Sequence, residues 1–344
     1  MMKTFTQCSR KGNYCAAFAL AIIILLTLFQ TKSYAQTKVF ANTVSSVSPN
    51  GMSSLLGCGT LGLSPCFNTL TVENAAEATN SNDATFATVK SFGGIALGLS
   101  GYTGQIDLKF ADVVPANTTT YIRIDFDGDV LNALLGGNLG GLLANVAGNV
   151  VLGNHSFEVG AKNSAGTTVL SGSSTAAFST PNLRLVKDAN GYFYVAITPT
   201  QAYDRVYVKD VTSALLLGTT NSTRVYYAFH ASGTDPCAQA FATGYEGTGI
   251  TLDALQLGNA GVTNSQNAID ANPNNFSTLS LGILGVGASV SQNFYFLNPS
   301  NPGDDFNLRF SSSSALLTAG VLNNITVTAY NGNTQVYTAS AASL

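Results

Sequence analysis

Residues 72–89 read VENAAEATNSNDATFATV, and residues 262–279 read VTNSQNAIDANPNNFSTL. The two stretches align without a gap, and six of their eighteen positions are identical. The identical pairs are Val72/Val262, Asn74/Asn264, Ala78/Ala268, Asn82/Asn272, Phe86/Phe276 and Thr88/Thr278. A register shared over this distance predicts that the chain carries one structural module twice.

The repeated stretch has the composition of a loop that closes onto a strand. Asn and Asp side chains accept hydrogen bonds from backbone N–H groups two residues further on, and in this way they fix turns. In the second copy, Asp270 and Asn272 occupy such positions. An aromatic residue follows in both copies, and we expect Phe86 and Phe276 to anchor the loop in the core.

Much of the remaining chain alternates apolar and polar residues with a period of two. This is the pattern of a strand that has one face on a core and the other in water. The clearest segments are residues 106–110, 122–126, 193–197, 205–209 and 225–229.

Turn signals separate these segments. Asn190-Gly191 and Asn331-Gly332 tolerate the positive φ of tight hairpins, and residues 163–166 (NSAG) stand between two short apolar segments in the same way. Residues 130–152 are too rich in glycine for a long helix and predict an apolar connection with one helical turn at most. The patterns together predict an all-β protein of antiparallel β-sandwich modules, of the jelly-roll or immunoglobulin-like kind.

The second copy continues beyond its opening but is predicted to be incomplete. Residues 306–310, which include Arg309, match the strand segment 121–126, which includes Arg123. Nothing in the second copy matches residues 183–208, LRLVKDANGYFYVAITPTQAYDRVYV.

The chain therefore divides into a first module at residues 36–233 and a partial second module at residues 237–344. The polar Gly/Pro stretch at residues 231–236 is typical of a linker. Because an unfinished sheet exposes strand edges, which natural proteins avoid, we expect the protein to continue beyond Leu344.

The first residues predict export. Basic residues precede an apolar run at residues 16–29, and Ser33-Tyr34-Ala35 forms a cleavage site before Gln36, so residues 1–35 are predicted to be a signal peptide. The alternative is a membrane anchor, although the run is shorter than the roughly 20 residues that a span needs. We expect a protein that is secreted or held at the cell surface, with no membrane span after cleavage.

Composition and cysteines narrow the class further. Only 10% of residues are charged, the net charge is −3, and the scarcity of Lys and Arg argues against nucleic acid as a partner. In an oxidising compartment, Cys58 and Cys66 are expected to form a local disulfide across a Gly/Pro turn, the alternative being two free thiols. Cys237 is left without an assigned partner.

Catalytic patterns are missing from the sequence, so the chain is predicted not to be an enzyme and no catalytic residue is assigned. Its two histidines, His155 and His230, belong to no spaced ligand or nucleophile set and are expected at the surface or at strand ends. Asp125, Asp127 and Asp129 form the best acidic cluster. They are a candidate calcium site, and the alternative is a solvated turn after a strand.

The second copy of the repeated stretch reads Asn-Ala-x-Asp-x-Asn-x-x-Asn-Phe-x-Thr-Leu, starting at Asn267. This pattern is similar to the opening of discoidin-like, galactose-binding-like β-sandwich modules. It resembles most the modules repeated in large secreted surface proteins of Bacteroidota-type bacteria, and residues 202–206 (AYDRV) fit the same pattern. The resemblance covers residues 57–229 and the first part of the second copy.

The resemblance implies carbohydrate contact, but the chain has no tryptophan to form a sugar-stacking face. Tyr192 and Tyr194 are the candidate replacements, with Arg205 as a ligand clamp. The alternatives are ordinary cross-strand packing of the tyrosines and an ion pair between Arg205 and Asp204.

The sequence thus predicts a non-catalytic extracellular protein that contributes adhesion or contact with a glycan or a surface protein. Two alternatives stay open. One is a carbohydrate-binding module of an enzyme whose catalytic domain lies beyond this chain, and the other is a structural repeat of a long extracellular protein with no ligand of its own.

Overall fold

The structure is a computed structural model. It describes residues 37–50, 71–93, 102–126, 130–135, 155–176, 178, 180–212, 220–233, 239–248, 261–281, 289–300, 304–311 and 324–343. Several predicted features lie outside the described residues and stay predictions. They are the signal peptide, Cys58, Cys66, Cys237, Asp127 and Asp129.

Strands dominate the described chain, and every pairing between them is antiparallel. The first twelve are β1 (Thr37–Phe40), β2 (Thr43–Asn50), β3 (Val72–Glu73), β4 (Ala87–Phe92), β5 (Tyr102–Val114), β6 (Thr120–Phe126), β7 (His155–Lys162), β8 (Thr168–Ser173), β9 (Leu183–Asp188), β10 (Phe193–Ile197), β11 (Tyr203–Thr212) and β12 (Thr220–Ser232). The other six are β13 (Ala242–Thr248), β14 (Gly261–Thr263), β15 (Thr278–Ser280), β16 (Ser289–Tyr295), β17 (Thr326–Asn331) and β18 (Thr334–Ser340). The predicted all-β, antiparallel fold class is confirmed.

Within the described residues, helical structure is confined to short segments. One α-helical turn, α1 (Val130–Leu134), opens the glycine-rich connection, and the rest of that connection, residues 136–152, lies outside the described residues. Three 3-10 helices cover Ala75–Thr79, Ser174–Ala176 and Ser265–Ala268. None of the helices in the described part of the chain has the length and apolar character needed to span a membrane.

One large sheet forms the body of the fold and closes over itself as a β-sandwich. Its strands follow the order β16-β13-β9-β10-β6-β12-β4-β5-β11-β7-β8, with β1, β2 and β3 attached to β12, β5 and β4. Strand β4 is the corner, since it pairs with β12 along its length and with β5 at its end. The apolar side chains of both halves meet in one core: Ile122, Val195 and Val225 from one half, and Ile106, Val206 and Phe157 from the other.

The first strands cross the same corner. Strand β1 pairs with β12 and β2 pairs with β5, and between them the N–H of Ala41 donates to Ala228 while that of Asn42 donates to Lys109. The Ala41 side chain is fully buried at this crossing. The sequence analysis had not predicted strands in residues 37–50, which are rich in Ser and Thr.

Strand β6 differs from the expectation of one solvated face. Ile122 and Ile124 point into the main core, while Tyr121 joins a second buried cluster on the opposite face together with Tyr194 and Phe229. The prediction of a half-exposed strand is therefore wrong for β6. The aromatic residues of β10 and β12 flank it on both sides and exclude water from its outer face.

The three predicted hairpins are confirmed. In the turn between β9 and β10, the Asp188 carboxylate accepts hydrogen bonds from the N–H groups of Asn190 (2.9 Å) and Tyr192 (2.8 Å), and Gly191 adopts φ 88°. The β7–β8 and β17–β18 hairpins form around the other two predicted turns.

The two copies of the repeated stretch have the same local structure. In each, an asparagine in the left-handed conformation (Asn74 and Asn264, both φ 53°) opens a 3-10 helix. The flanking strands pair in matching registers, Val72 with Val89 and Val262 with Leu279.

The predicted side-chain turns are also present at matching positions. The Asn82 N–H donates to Asn80 and the Asn272 N–H donates to Asp270, both at 2.9 Å. One step later, Asn82 and Asn272 themselves accept hydrogen bonds from N–H groups two residues on. The internal repeat is thus a repeat of backbone geometry as well as of residues.

Two expectations for the second copy are wrong. The Phe276 side chain is largely exposed rather than anchored in a core, although Phe86 packs against Tyr226. Residues 304–311 form no strand, and Phe306 and Leu308 are exposed. A strand needs a hydrogen-bonded neighbour, and in the described chain β10 and β12 flank the first copy's matching strand but have no counterpart beside residues 304–311.

Strand β13 extends the large sheet. It pairs with β16 over seven residues and with β9 through Ala242 and Thr243. The division into modules at residues 36–233 and 237–344 stays a prediction.

Candidate ligand-binding surface

Arg123 lies at the centre of β6 on the strand's outer face. The register places it opposite Tyr194 of β10 and Tyr227 of β12. It is only 4% exposed. A guanidinium buried to this extent is costly unless its donors have partners, so the groups around Arg123 are under a strict constraint.

The repeated loop provides the partner for this charge. The Nη1 of Arg123 donates to the backbone oxygen of Asp83 (3.0 Å) and to its Oδ1 (2.5 Å). Charge-assisted hydrogen bonds of this kind are shorter and stronger than neutral ones. Asp83 lies between the Asn82 turn and Phe86, so the pair ties the first copy of the loop to the outer face of the sheet.

Two tyrosine rings cover the same guanidinium. Its central carbon lies 3.8 Å from the ring centroid of Tyr192 and 4.0 Å from that of Tyr226. A cation this close to an aromatic face is attracted by the ring quadrupole, by up to about 2 kcal/mol when desolvated. Tyr192 is held in place in this way and remains 37% exposed.

Two buried tyrosine hydroxyl groups form hydrogen bonds next to the Arg123–Asp83 pair. The Tyr227 hydroxyl donates to Asp83 Oδ1 (2.7 Å) and lies 3.2 Å from the hydroxyl of Tyr194, which donates to Asp188 Oδ2 (3.3 Å). Burial raises the pKa of Tyr227 to about 12, and burial also raises the pKa of Tyr194 above its usual range. Both hydroxyls therefore stay neutral as donors at physiological pH.

Charged side chains border the exposed tyrosine. The Asp83 side chain is 57% exposed, and the side chains of Asp125 and Arg224 are 42% and 41% exposed. Arg224 donates to Asp125 Oδ2 (3.0 Å) and lies over the ring of Phe86 (5.3 Å). The result is an aromatic floor with exposed carboxylate and guanidinium groups around it, which we call the Arg123 surface.

Of the residues proposed as ligand contacts, the structure places only Tyr192 on this surface. Tyr194 is buried, so the prediction that it contacts a ligand directly is wrong and it supports the site instead. Arg205 lies on β11, which β6, β12, β4 and β5 separate from β10. Its Nε is 3.3 Å from Asp204 Oδ1, and its Nη2 donates to the backbone oxygen of Ser164 (3.2 Å), which is the alternative that the sequence left open.

Asp125 is the described member of the candidate calcium cluster. Its Oδ1 accepts a hydrogen bond from the N–H of Phe126 (2.9 Å), and its Oδ2 accepts one from Nη1 of Arg224. Both oxygens therefore have partners, and the described residues hold no group of three or more potential metal ligands. The calcium assignment stays a prediction because Asp127 and Asp129 lie outside the described chain.

A buried cluster around Asp210 was missed at the sequence level. The carboxylate is fully buried, accepts hydrogen bonds from Ser91 and Thr223, and lies 2.8 Å from Nε2 of His155. His155 is the first residue of β7, so the expected strand-end position is confirmed, while its side chain is nearly buried and stacks on Phe126 at 4.3 Å.

This cluster is structural in its geometry. The Ser91 hydroxyl bonds the Asp210 carboxylate and the neighbouring Thr212 hydroxyl, and Ser91, Asp210 and Thr223 are all fully buried, so the cluster presents no group to a ligand in solution. The alternation pattern could not reveal the cluster because its members lie on four different strands.

A cleft of about 260 Å³ lies apart from the Arg123 surface, lined in part by Asn132, Lys187, Tyr245, Asn264 and Gln266. Lys187 donates to Asn132 (3.4 Å) and lies over the ring of Phe193 (5.0 Å), and burial lowers its pKa. The ammonium group of Lys187 therefore already has contacts within the protein. The Arg123 surface is the stronger candidate because its charged groups and one aromatic face reach solvent together.

No protein-family model, no curated protein and no solved structure matches this chain. The function must therefore be inferred from the surface itself.

The pair between Arg123 and Asp83 generates a first prediction. Arg123→Met should lower the free energy of unfolding by about 1–3 kcal/mol, because it removes charge-assisted hydrogen bonds at a buried site. A double-mutant cycle with Asp83→Asn, measured by urea unfolding, should give a coupling energy above that of the exposed pair Arg224→Met with Asp125→Asn, for which about 0.2–1 kcal/mol is expected. A coupling energy no larger than that of the exposed pair would contradict the role of the Arg123–Asp83 pair in holding the first copy of the loop on the sheet.

The tyrosine hydroxyls generate a second prediction. Because the pKa of Tyr227 is about 12 in the folded protein and about 10 when unfolded, the neutral form stabilises the fold below pH 10. That contribution is lost as the pH rises from 10 through 12. The fall in unfolding free energy between pH 9 and 11 should be smaller in Tyr227→Phe than in wild type, whereas the exposed control Tyr337→Phe should keep the wild-type slope. Equal slopes in all three proteins would count against the buried hydroxyl chain.

Proposed function

We propose that this chain is a non-catalytic extracellular protein, secreted or held at a bacterial cell surface, that contacts carbohydrate through the Arg123 surface. The single observation that carries the proposal is the position of Tyr192. Its ring is fixed over Arg123, and it remains exposed beside Asp83, Asp125 and Arg224.

The chemistry suits a sugar ring. An aromatic face offers apolar contact to the C–H groups of a pyranose, while a few well-placed polar groups around it set the orientation of the ligand. The carboxylates of Asp83 and Asp125 accept hydrogen bonds from hydroxyl groups, and the guanidinium of Arg224 donates them.

The surface is also organised in advance. Tyr192 has few rotatable bonds, and its packing on the buried Arg123 guanidinium already restricts it, so binding costs less side-chain ordering than on a mobile loop. An open surface of this kind is expected to bind each sugar weakly, and adhesion would then depend on many chains acting together.

The second copy does not reproduce the surface. Pro273 occupies the position of Asp83, and the second copy has no segment matching the one that carries Tyr192. We therefore expect the second copy not to carry this carbohydrate surface. The resemblance to galactose-binding-like modules of secreted surface proteins supports the proposal.

The test is a glycan and polysaccharide array probed with the full chain, once with calcium and once with a chelator. The proposal predicts selective binding that Tyr192→Ala reduces at least tenfold, because the aromatic contact is removed. The matched control is Tyr337→Ala, which removes another exposed tyrosine and should bind as wild type does. Tyr192→Phe keeps the ring over Arg123 and should retain most of the binding.

Two outcomes would count against the proposal, and a third would add a calcium site to it. An array without binding would overturn it and favour a protein partner or a purely structural repeat. Binding unchanged in Tyr192→Ala would move the site away from the Arg123 surface. Binding lost only with the chelator would assign Asp125, Asp127 and Asp129 to a calcium site.

A further inference from the structure

The two copies of the repeated stretch share a backbone geometry but differ in how they are covered. Phe86 is half-buried and Val89 is fully buried in the first copy. At the matching positions of the second copy, Phe276 is 72% exposed and Leu279 is 48% exposed. The difference lies in the surroundings, because the residues at these positions are equally apolar.

Strand β12 is what covers the first copy. It pairs with β4 so that Thr223 lies opposite Val89. The ring of Tyr226 lies 5.3 Å from the ring of Phe86, and the guanidinium carbon of Arg224 lies 5.3 Å from the same ring. One strand therefore supplies backbone pairing, a small hydroxyl residue, an arginine and a tyrosine to this face.

The second copy of the repeated stretch holds its two strands in a separate small sheet. In the described part of the chain, β15 pairs with β14, and these two strands form a sheet of their own, whereas β4 belongs to the large sheet through β12 and β5. The registers of the two pairs match residue by residue, so the face of β15 that carries Leu279 corresponds to the face of β4 that carries Val89.

We propose that the face around Phe276 and Leu279 accepts an extended strand from outside residues 1–344, and that this strand has the chemistry of β12. It runs antiparallel to β15, places a small hydroxyl residue opposite Leu279, and packs an arginine and an aromatic ring on Phe276. The first copy identifies this occupant, since it shows the same backbone with such a strand in place.

Physical chemistry favours addition of a strand over binding of a compact surface. An extended peptide that joins a sheet gains main-chain hydrogen bonds, and its alternate side chains give specificity. A clustered apolar face at a strand edge is a liability that proteins normally cover. This site is independent of the Arg123 surface, because it lies in the other copy and needs none of the same residues.

The chain contains no tryptophan, which makes a direct test possible. Phe276→Trp in the full chain introduces a single tryptophan at an exposed position, and its fluorescence reports on whether the position is covered. The probe is a synthetic peptide of residues 220–229, TNSTRVYYAF, taken from β12. The proposal predicts that the peptide shifts the emission to shorter wavelength in a saturable way, and that a scrambled peptide of the same composition does not.

Two variants serve as controls. Phe86→Trp carries its tryptophan at the matching position under β12, so its emission should lie at shorter wavelength from the start and should not respond to the peptide. Adding Leu279→Asp to Phe276→Trp should weaken the peptide about tenfold or more, because a carboxylate would be buried under the added strand without a partner.

The proposal is overturned if the peptide leaves the emission of Phe276→Trp unchanged, or if the scrambled peptide acts equally well. It is also overturned if the emission in dilute protein already matches that of Phe86→Trp, because another part of the chain would then cover the face. A shift that grows with protein concentration and needs no peptide would assign the face to a second copy of this chain instead.

Discussion

A buried guanidinium is the constraint on which the outer face of this fold depends. Arg123 sits in the middle of a strand whose neighbours are aromatic, and water does not reach it. Asp83, on a loop forty positions earlier in the chain, pairs with this charge, and the rings of Tyr192 and Tyr226 lie over the guanidinium. The same contacts that make the charge tolerable also hold one tyrosine ring at the surface, next to exposed carboxylates.

Strand β12 connects this constraint to the rest of the molecule. It pairs with β6 on one side and with β4 on the other, and it contributes Arg224, Tyr226 and Tyr227 to the surroundings of Arg123. It therefore joins the repeated loop to the sheet and completes the candidate ligand surface at once. The second copy keeps the loop geometry, but in the described residues it has neither the buried arginine nor the covering strand, and its Phe276 and Leu279 face solvent.

Local patterns in the sequence were sufficient for much of the fold. Period-two alternation predicted the strands around Ile106, Ile122 and Val206, and Asn-Gly pairs predicted the hairpins, because backbone pleat and turn geometry depend on neighbouring residues. The repeated Asn and Asp positions predicted the side-chain turns for the same reason. Alternation along β6 suggested a solvated face, however, because a single strand carries no information about what its neighbours place over it.

The candidate site depended on contacts between distant parts of the chain, which a single sequence does not display. Asp83 and Arg123 are separated by forty positions, and His155 and Asp210 by fifty-five. Tyr192 was identified as a ligand contact from its residue type, and Tyr194 was assigned with it because alternation places the two on the same face. The neighbouring strands bury Tyr194, which alternation alone does not show. Phe276 was expected in a core because its counterpart Phe86 looked like an anchor, yet the anchor is provided by β12.

Hydrogen exchange of the full chain, resolved by mass spectrometry, tests most directly the claim that β12 completes the first copy and that no strand of the described chain plays this part for the second. The segments to compare are residues 86–90 and residues 276–280, which have the same local geometry. The account predicts exchange at least tenfold slower in the first segment, because β4 is paired within the large sheet and β15 lies in a two-stranded one. Equally slow exchange in both segments would contradict it, since the second copy would then be covered in the isolated chain.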